Sequence, residues 1–306
     1  MKAPHFADYL AVFVDVVRAG SFSAAARDRA VTPSAIVRQI NTLEQELGVP
    51  LLIRSTRSLT MTDAGQSLFE RAKRLLDDLA DAHAEVSAFH GLVAGTLRVA
   101  CFPTFGKRYV LPVLAKLQAE YPSLKVELDL NEKLGDPVLE RLDVVIRMGE
   151  LPDSTLIAAK LAPLNRVLAA SPAYLGRKGV PSDVAELAGH RLLDKLHRAD
   201  LLGWSDVLGR PAAEVSNDPV AFRSDDFEAL RGAAIAGMGV TFLPTWVVGP
   251  DIKAGVLTRI PLAGEPWNAR PSGIYLLRSV PLPSAKVRAF VEALRAFINA
   301  PPIWEP

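Results

Sequence analysis

The residues best placed to do chemistry in this chain are hydroxyls and cations suited to nucleic acid. The run Thr32-Pro33-Ser34-Ala35, with Arg38 and Gln39 one turn later, reads as the start of a helix that could enter a DNA groove. A guanidinium there can take a guanine edge or a phosphate, and a carboxamide can address adenine. Arg54 and Arg57 follow in a short β-rich stretch and suit phosphates or the minor groove. On composition alone a surface helix with ordinary solvated arginines is the competing reading.

Further along, Arg147 is the sharpest polar candidate, because a guanidinium can hold a carboxylate in bidentate fashion. The same side chain could instead close a structural ion pair with Asp143 or Glu150. Cys101 is the single cysteine, which excludes an internal disulfide framework, and it reads as a small buried hydrophobe rather than a thiol sensor. His5, His83, His90 and His197 are scattered, so no metal site is expected. Asp225 and Asp226 are adjacent carboxylates, but sequence neighbours do not make a general acid/base pair. Trp204, Trp246 and Trp267 are expected to pack rather than stack on a ligand. There is no Gly-rich phosphate loop and no G-x-S-x-G elbow, so nothing here builds an enzyme.

The elements that position these groups follow from periodicity. Phe6, Leu10, Phe13, Val14 and Val17 recur at helical spacing up to Gly20. Ser21 and Ser23 can cap a short Ala-rich helix over 24–30, and Thr32 can cap a third helix with Pro33 at its first position. Ile36, Ile40, Leu43 and Leu47 line one face of that helix, which ends at Gly48. LLIRSTRSLTMT then alternates like a small hairpin or wing. From Asp63 the spacing becomes heptad-like through Leu68, Ala72, Leu75, Leu79, Ala82, Val86 and Phe89, a seam that calls for a second copy of itself.

The remainder alternates strands (TLRVACF, LKVELDL, LDVVIRM, RVLAAS, GVTFLP, GIYLLR) with helices at 110–120, 136–141, 224–236 and 284–299. That pattern implies two α/β lobes, each with a parallel sheet covered on both faces. Ligands of such receptors sit between the lobes, outside the carboxyl ends of the strands. Phe102, Pro103 and Thr104 leave the first strand there, Arg147 and Met148 end another, and Thr241 and Leu243 precede Pro244. Ser224 and Asp225 open a helix whose free N–H groups favour an anion.

The 306 residues suit two or three domains, and a 49% hydrophobic content supplies cores for them. The formal net charge is only +1, so DNA binding needs a local basic surface. Residues 1–62 carry +2 and 63–90 carry −3, which places that surface in the first segment. No apolar run reaches the roughly 20 residues of a membrane helix, and no export signal is evident, so a soluble cytoplasmic protein is expected.

The run FVDVVRAGSFSAAARDRAVTPSAIVRQINTLEQELGVPLLIRSTRSLTMTDAG strongly resembles the N-terminal domain of LysR-type regulators. Closest are GSFSAAA, LEQELG, the Arg54 to Arg57 wing and the stretch from Leu59 to Gly65. DVVIRMG, LPDSTLIA, ASPAYL, LAGHRLL and AGMGVTFLPTW extend the resemblance over nearly the whole chain, with His190 at a structural position. It implies a winged helix-turn-helix over 1–62, a linker and dimerisation helix over 63–90, and an effector-binding domain over 91–306. The last splits into lobe I (91–163 and 266–306) and lobe II (164–265), resembling periplasmic binding proteins. The family assembles as a dimer of dimers on a dyad-symmetric operator, responds to a small effector and works with RNA polymerase, without a cofactor. The resemblance also implies that the first-strand exit, the Asn165–Arg166 crossover and the Ser224–Asp225 turn line the effector cleft. Three residues depart from the family pattern: Val37 where a phosphate-binding serine is common, Arg29 where a core leucine is usual, and Ala30 where a glycine or small polar residue is. An enzyme with two α/β lobes, which lacks the motifs named above, and an exported solute receptor, which would need an export signal and has no use for a winged helix, are the alternatives.

Overall fold

The computed structural model describes residues 5–54, 59–87, 93–132, 141–151, 153–196, 203–209, 220–262, 266–269 and 272–306. The expected helix at 136–141, Arg57, Phe89, His90 and His197 therefore fall wholly or mostly outside the described residues, as do the side chains of Arg54 and Val86. The chain divides into two compact units, Met1–Gly95 and Thr96–Pro306.

In the first unit, α1 (Phe6–Ala19), α2 (Phe22–Asp28) and α3 (Pro33–Leu47) enclose a core of Leu10, Phe13, Val14, Ala25, Ala26, Ile36, Ile40 and Leu43. Their limits obey local chemistry. Gly20 and Gly48 end α1 and α3 at φ 67° and 70°, where a Cβ would be strained. The wing is a two-stranded antiparallel hairpin, β1 (Leu52–Arg54) with β2 (Leu59–Met61). Glu44 of α3 holds its root, since its Oε1 accepts from Leu51 N at 2.7 Å and Leu52 N at 3.1 Å. The 25-residue α4 (Asp63–Ser87) starts where Thr62 accepts from Gly65 N at 3.0 Å. Gly65 must be glycine, because a Cβ there would lie 2.1 Å from the Leu51 carbonyl oxygen.

The heptad seam divides in two along α4. Ala72 is fully buried in the winged core, and Leu68, Phe69 and Leu76 pack against that core. Ala72, expected in the dimer seam, is thus enclosed within the chain, whereas Leu68 leans on the same core and stays partly exposed. Leu75 and Leu79 remain 55% and 57% exposed, and Ala82 is exposed as well.

The second unit holds two five-stranded sheets. Lobe I orders β4 (Leu124–Leu130), β3 (Gly95–Cys101), β5 (Val144–Gly149), β12 (Gly273–Arg278) and β6 (Ile157–Pro163). Lobe II orders β11 (Thr258–Ile260), β7 (Arg166–Ala170), β10 (Val240–Pro244), β8 (Leu192–Asp194) and β9 (Val220–Arg223). The sheets are mixed, not parallel: β3 and β5 run parallel, as do β10, β8 and β9, but β12, β6, β7 and β11 pair antiparallel. The reason is connectivity. β6 leads into β7, and β11 back to β12, so each strand that receives a crossing, β7 in lobe II and β12 in lobe I, runs against its neighbours. Of the helices, α5 (Pro103–Phe105), a π-helical turn (Gly106–Val110) and α6 (Leu111–Glu120) continue from β3. Gly106 permits that turn, as a Cβ would meet Leu130 Cδ2 at 2.2 Å and Cys101 Sγ at 2.8 Å. α7 (Pro172–Lys178), α8 (Trp204–Leu208), α9 (Phe227–Ile235), α10 (Thr245–Lys253) and α11 (Ala285–Ile298) complete the unit. No single described helix is long and apolar enough to cross a membrane.

Candidate DNA-reading surface and effector cleft

The DNA-facing candidates are built on capped helix starts. Ser21 Oγ accepts from Ala24 N at 3.1 Å, and Thr32 Oγ1 from Ala35 N at 3.3 Å. Each hydroxyl thereby fixes its helix, and Thr32 Oγ1 also shares a hydrogen bond with Ser34 Oγ at 3.1 Å. Ser23, Thr32, Pro33, Ser34 and Arg38 are exposed along this edge, while Ala35, Val37 and Gln39 are half-buried. Arg29 is exposed and bonds Asp15 of α1 at the surface, which ties α2 to α1. Ala30 adopts φ 54° in the turn before α3, the left-handed region where an alanine is strained.

In the sensor unit the two lobes meet through several direct bonds. Arg108, in the π turn, donates to Val247 O at 2.6 Å and pairs with Glu228 of α9 at 2.7 Å. Tyr109 Oη donates to Trp246 O at 2.6 Å, and burial pushes its phenol up to about 12. Phe102 stacks on Phe227 at 5.0 Å and on Trp246 at 6.2 Å between ring centroids. Lys195, which sequence reasoning missed, follows β8 and hangs its ammonium 4.5 Å from the Phe227 ring and 5.4 Å from the Phe102 ring. It also lies 4.0 Å from Glu132 of lobe I. Burial lowers its pKa most, and the Arg166 charge lowers it further, against the opposite pull of Glu132, Asp225 and Asp226.

Other expected cleft residues are distributed differently. Arg166 is 3% exposed at the start of β7, beside Pro244 at the end of β10. Its Cζ lies 5.5 Å from the Phe242 ring, and among the described residues its Nε and Nη2 have no hydrogen-bond partner. Burial draws its pKa down from the ordinary guanidinium range to about 10, with Asp206 acting against that shift. Asn165 is a hinge tie: its carbonyl accepts from Thr245 N at 2.9 Å and its amide donates to Glu305 at 3.2 Å.

Thr241 and Leu243, at 0% and 2% exposure, lie inside the lobe II sheet. Thr241 pairs with Ala169 and Leu193 near the start of β10, and Leu243 pairs with Val167 one residue before Pro244. The helix expected to open at Ser224 begins at Phe227 instead, because Asp226 caps it by accepting from Ala229 N at 2.9 Å. A carboxylate therefore already satisfies the helix start proposed for an anion. Ser224 accepts from Asp226 N at 3.1 Å, which shapes the turn, and Asp225 stands near Lys195.

Phe102 and Pro103 are half-buried, whereas Thr104 is buried. Arg147 lies opposite Tyr275 in the sheet, and among the described residues no hydrogen bond or ion pair reaches it. Of its two alternative partners, Asp143 bonds Lys286 at 3.1 Å instead. Cys101 is fully buried and its thiol is pushed up to about 12 by that burial and then by Asp129. Trp204, Trp246 and Trp267 are all buried.

Comparison with known proteins agrees with this division of labour. A family model described as the LysR substrate-binding domain matches residues 90–298. One described as the bacterial regulatory helix-turn-helix protein, lysR family, matches residues 7–66. The HTH-type transcriptional regulator CrgA of Neisseria meningitidis is 36% identical over 269 residues, covering 85% of this chain and 88% of that protein. The transcriptional activator AaeR of Escherichia coli is 35% identical, covering 81% and 80%. The solved CrgA structure superposes with a TM-score of 0.58 at 32% identity, covering 95% of this chain and 99% of that one. These are families of regulators, not of enzymes. The chain belongs to the LysR family of bacterial transcriptional regulators, with a helix-turn-helix that binds DNA and a second domain that binds an effector.

Proposed function

We propose that this regulator reads a dyad-symmetric operator with the exposed start of α3 and changes its grip when a small molecule enters between the two lobes of the sensor. The observation that carries the reading is the pairing of two arrangements in one chain. Thr32, Ser34 and Arg38 stand exposed at the start of a capped recognition helix, and Phe102, Lys195 and Arg166 gather where the lobes meet. The tripartite division at 62 and 90, a cytoplasmic location, assembly as a dimer of dimers and contact with RNA polymerase belong to the same proposal. Leu75 and Leu79 support the dimer, since they present an apolar stripe on α4 that nothing in the described chain covers.

The test is enrichment of genomic fragments on the purified chain, followed by binding measurements at one defined salt concentration. The expected result is a fragment bound in preference to competitor DNA, with a footprint of two half-sites. Retention of all fragments alike would defeat the reading.

A further inference from the structure

A proline inside a helix leaves one carbonyl without its usual donor, and α10 contains such a proline. Pro250 has no N–H to give the Trp246 carbonyl, four residues before it. Lobe I supplies a donor instead: Tyr109 Oη donates to Trp246 O at 2.6 Å, in a buried contact. Beside it, Arg108 donates to Val247 O at 2.6 Å and pairs with Glu228, which also meets Arg231 at 3.4 Å. Arg231 in turn holds Asp251 of α10 through Nε and Nη2. Two neighbouring residues of lobe I thus take two neighbouring carbonyls of one lobe II helix.

The π turn sets their aim. Leu111 N donates to Gly106 O, five residues back, so this turn holds one residue more than an α-helical turn. Each added residue rotates the side-chain direction by about 100°, so the register of the turn decides where Arg108 and Tyr109 point. The end of the chain presses on the same helix. Trp304 packs on Tyr109 at 4.7 Å between ring centroids, its carbonyl lies where a Cβ at Gly249 would have to be, and Lys253 Nζ donates to Ile303 O at 2.9 Å. Lys195 and Glu132, which also face each other across the lobes, stay 4.0 Å apart.

We propose that α10 is a fixed joint between the lobes, in which Tyr109 and Arg108 are positioning residues and the Tyr109 phenol stands in for the N–H that Pro250 lacks. Proline and phenol form one device: the first opens a socket in lobe II, and the second fills it from lobe I. The lobes keep their angle at this edge, and relative movement is left to the looser contact between Lys195 and Glu132. The inference concerns the joint alone and holds whatever the second unit binds.

Hydrogen exchange read by mass spectrometry on the full chain tests it. Tyr109→Phe keeps the ring and removes the hydroxyl. Amides of 106–110 and 246–253 should then exchange about 10- to 100-fold faster, as for a buried acceptor left unmet, while those of α7 hold their rate. Pro250→Ala returns an N–H to the helix, and in that background Tyr109→Phe should change the rates by no more than about 3-fold. A tyrosine that only fills space would give the same effect in both backgrounds. That result overturns the proposal, as does an unchanged rate in Tyr109→Phe alone. A second measurement leaves Pro250 in place. Spin labels on Lys178→Cys of α7 and Glu292→Cys of α11, both exposed sites, report the distance between the lobes when labelled chain is diluted into unlabelled chain, and the buried Cys101 stays out of reach of the label. The distance distribution should broaden in Tyr109→Phe, and one that stays as narrow overturns the joint.

Discussion

Arg38 and Ala30 show how far single residues carry the argument. Arg38 is exposed on a helix whose start is fixed by Thr32 and Pro33, so it can approach a base edge without moving the backbone. Arg38→Ala should cost about 1–3 kcal/mol of specific operator affinity. Fluorescence anisotropy on matched and mismatched sites checks this, and an equal loss on both would reassign Arg38 to phosphate. Ala30, at φ 54°, bears a strain that glycine lacks. Ala30→Gly should therefore stabilise the winged helix by up to about 1 kcal/mol in urea unfolding, less the entropy that glycine adds to the unfolded chain. Arg166 makes a statement about pH. Its folded pKa of about 10 lies below the ordinary guanidinium range, so the fold is penalised at every pH below 10 and regains stability as pH rises from there towards that range. The caps Ser21 and Thr32 were legible in the sequence because a cap acts within three residues, although that of α9 was expected at Ser224 and is Asp226. The unmet donors of Arg166 were not, because only the fold shows what surrounds them.

Among the elements, α4 changes allegiance along its length. Its first turns belong to the winged core through Ala72, and Leu75 and Leu79 turn outward beyond it. The even heptad pattern concealed this, since it records which side chains are apolar and not which neighbour covers them. A double Leu75→Asp, Leu79→Asp change should break dimers, at a cost of several kcal/mol for burying unpaired charge, while the winged helix stays folded. Light scattering paired with circular dichroism separates the outcomes: an intact oligomer would discard the seam, and loss of helix would mean these leucines serve their own chain. The sheets show a similar limit of legibility. RVLAAS, GVTFLP and GIYLLR were readable as strands, but their antiparallel sense was not, because it is set by the crossings between lobes.

At the scale of the molecule, the segment after α11 closes over the hinge, and nothing in the sequence reading anticipated it. Trp304 is fully buried against Phe105 and Tyr109 of lobe I, at 5.8 and 4.7 Å, while its carbonyl crowds Gly249 of lobe II. Glu305 accepts from Asn165 and from Thr245, and Ile303 O from Lys253. Trp304→Ala should cost about 3–5 kcal/mol in chemical denaturation of the chain, and Trp304→Phe much less. A loss below 1 kcal/mol would show the strap to be dispensable.

The place of β12 has a consequence for the order in which the sensor folds. This strand lies inside the lobe I sheet, between β5 and β6, yet it follows the whole of lobe II in the chain. Lobe II is drawn from one continuous stretch, β7 through β11, so its pairings close over shorter loops. During synthesis lobe II can assemble while β5 and β6 still lack the strand that joins them, which leaves two apolar edges open. Pulse-labelling by hydrogen exchange during refolding should find the amides of β7 and β10 protected before those of β5 and β6. Mutations that slow the docking of β12 should then lower yield through aggregation even where the finished protein is stable.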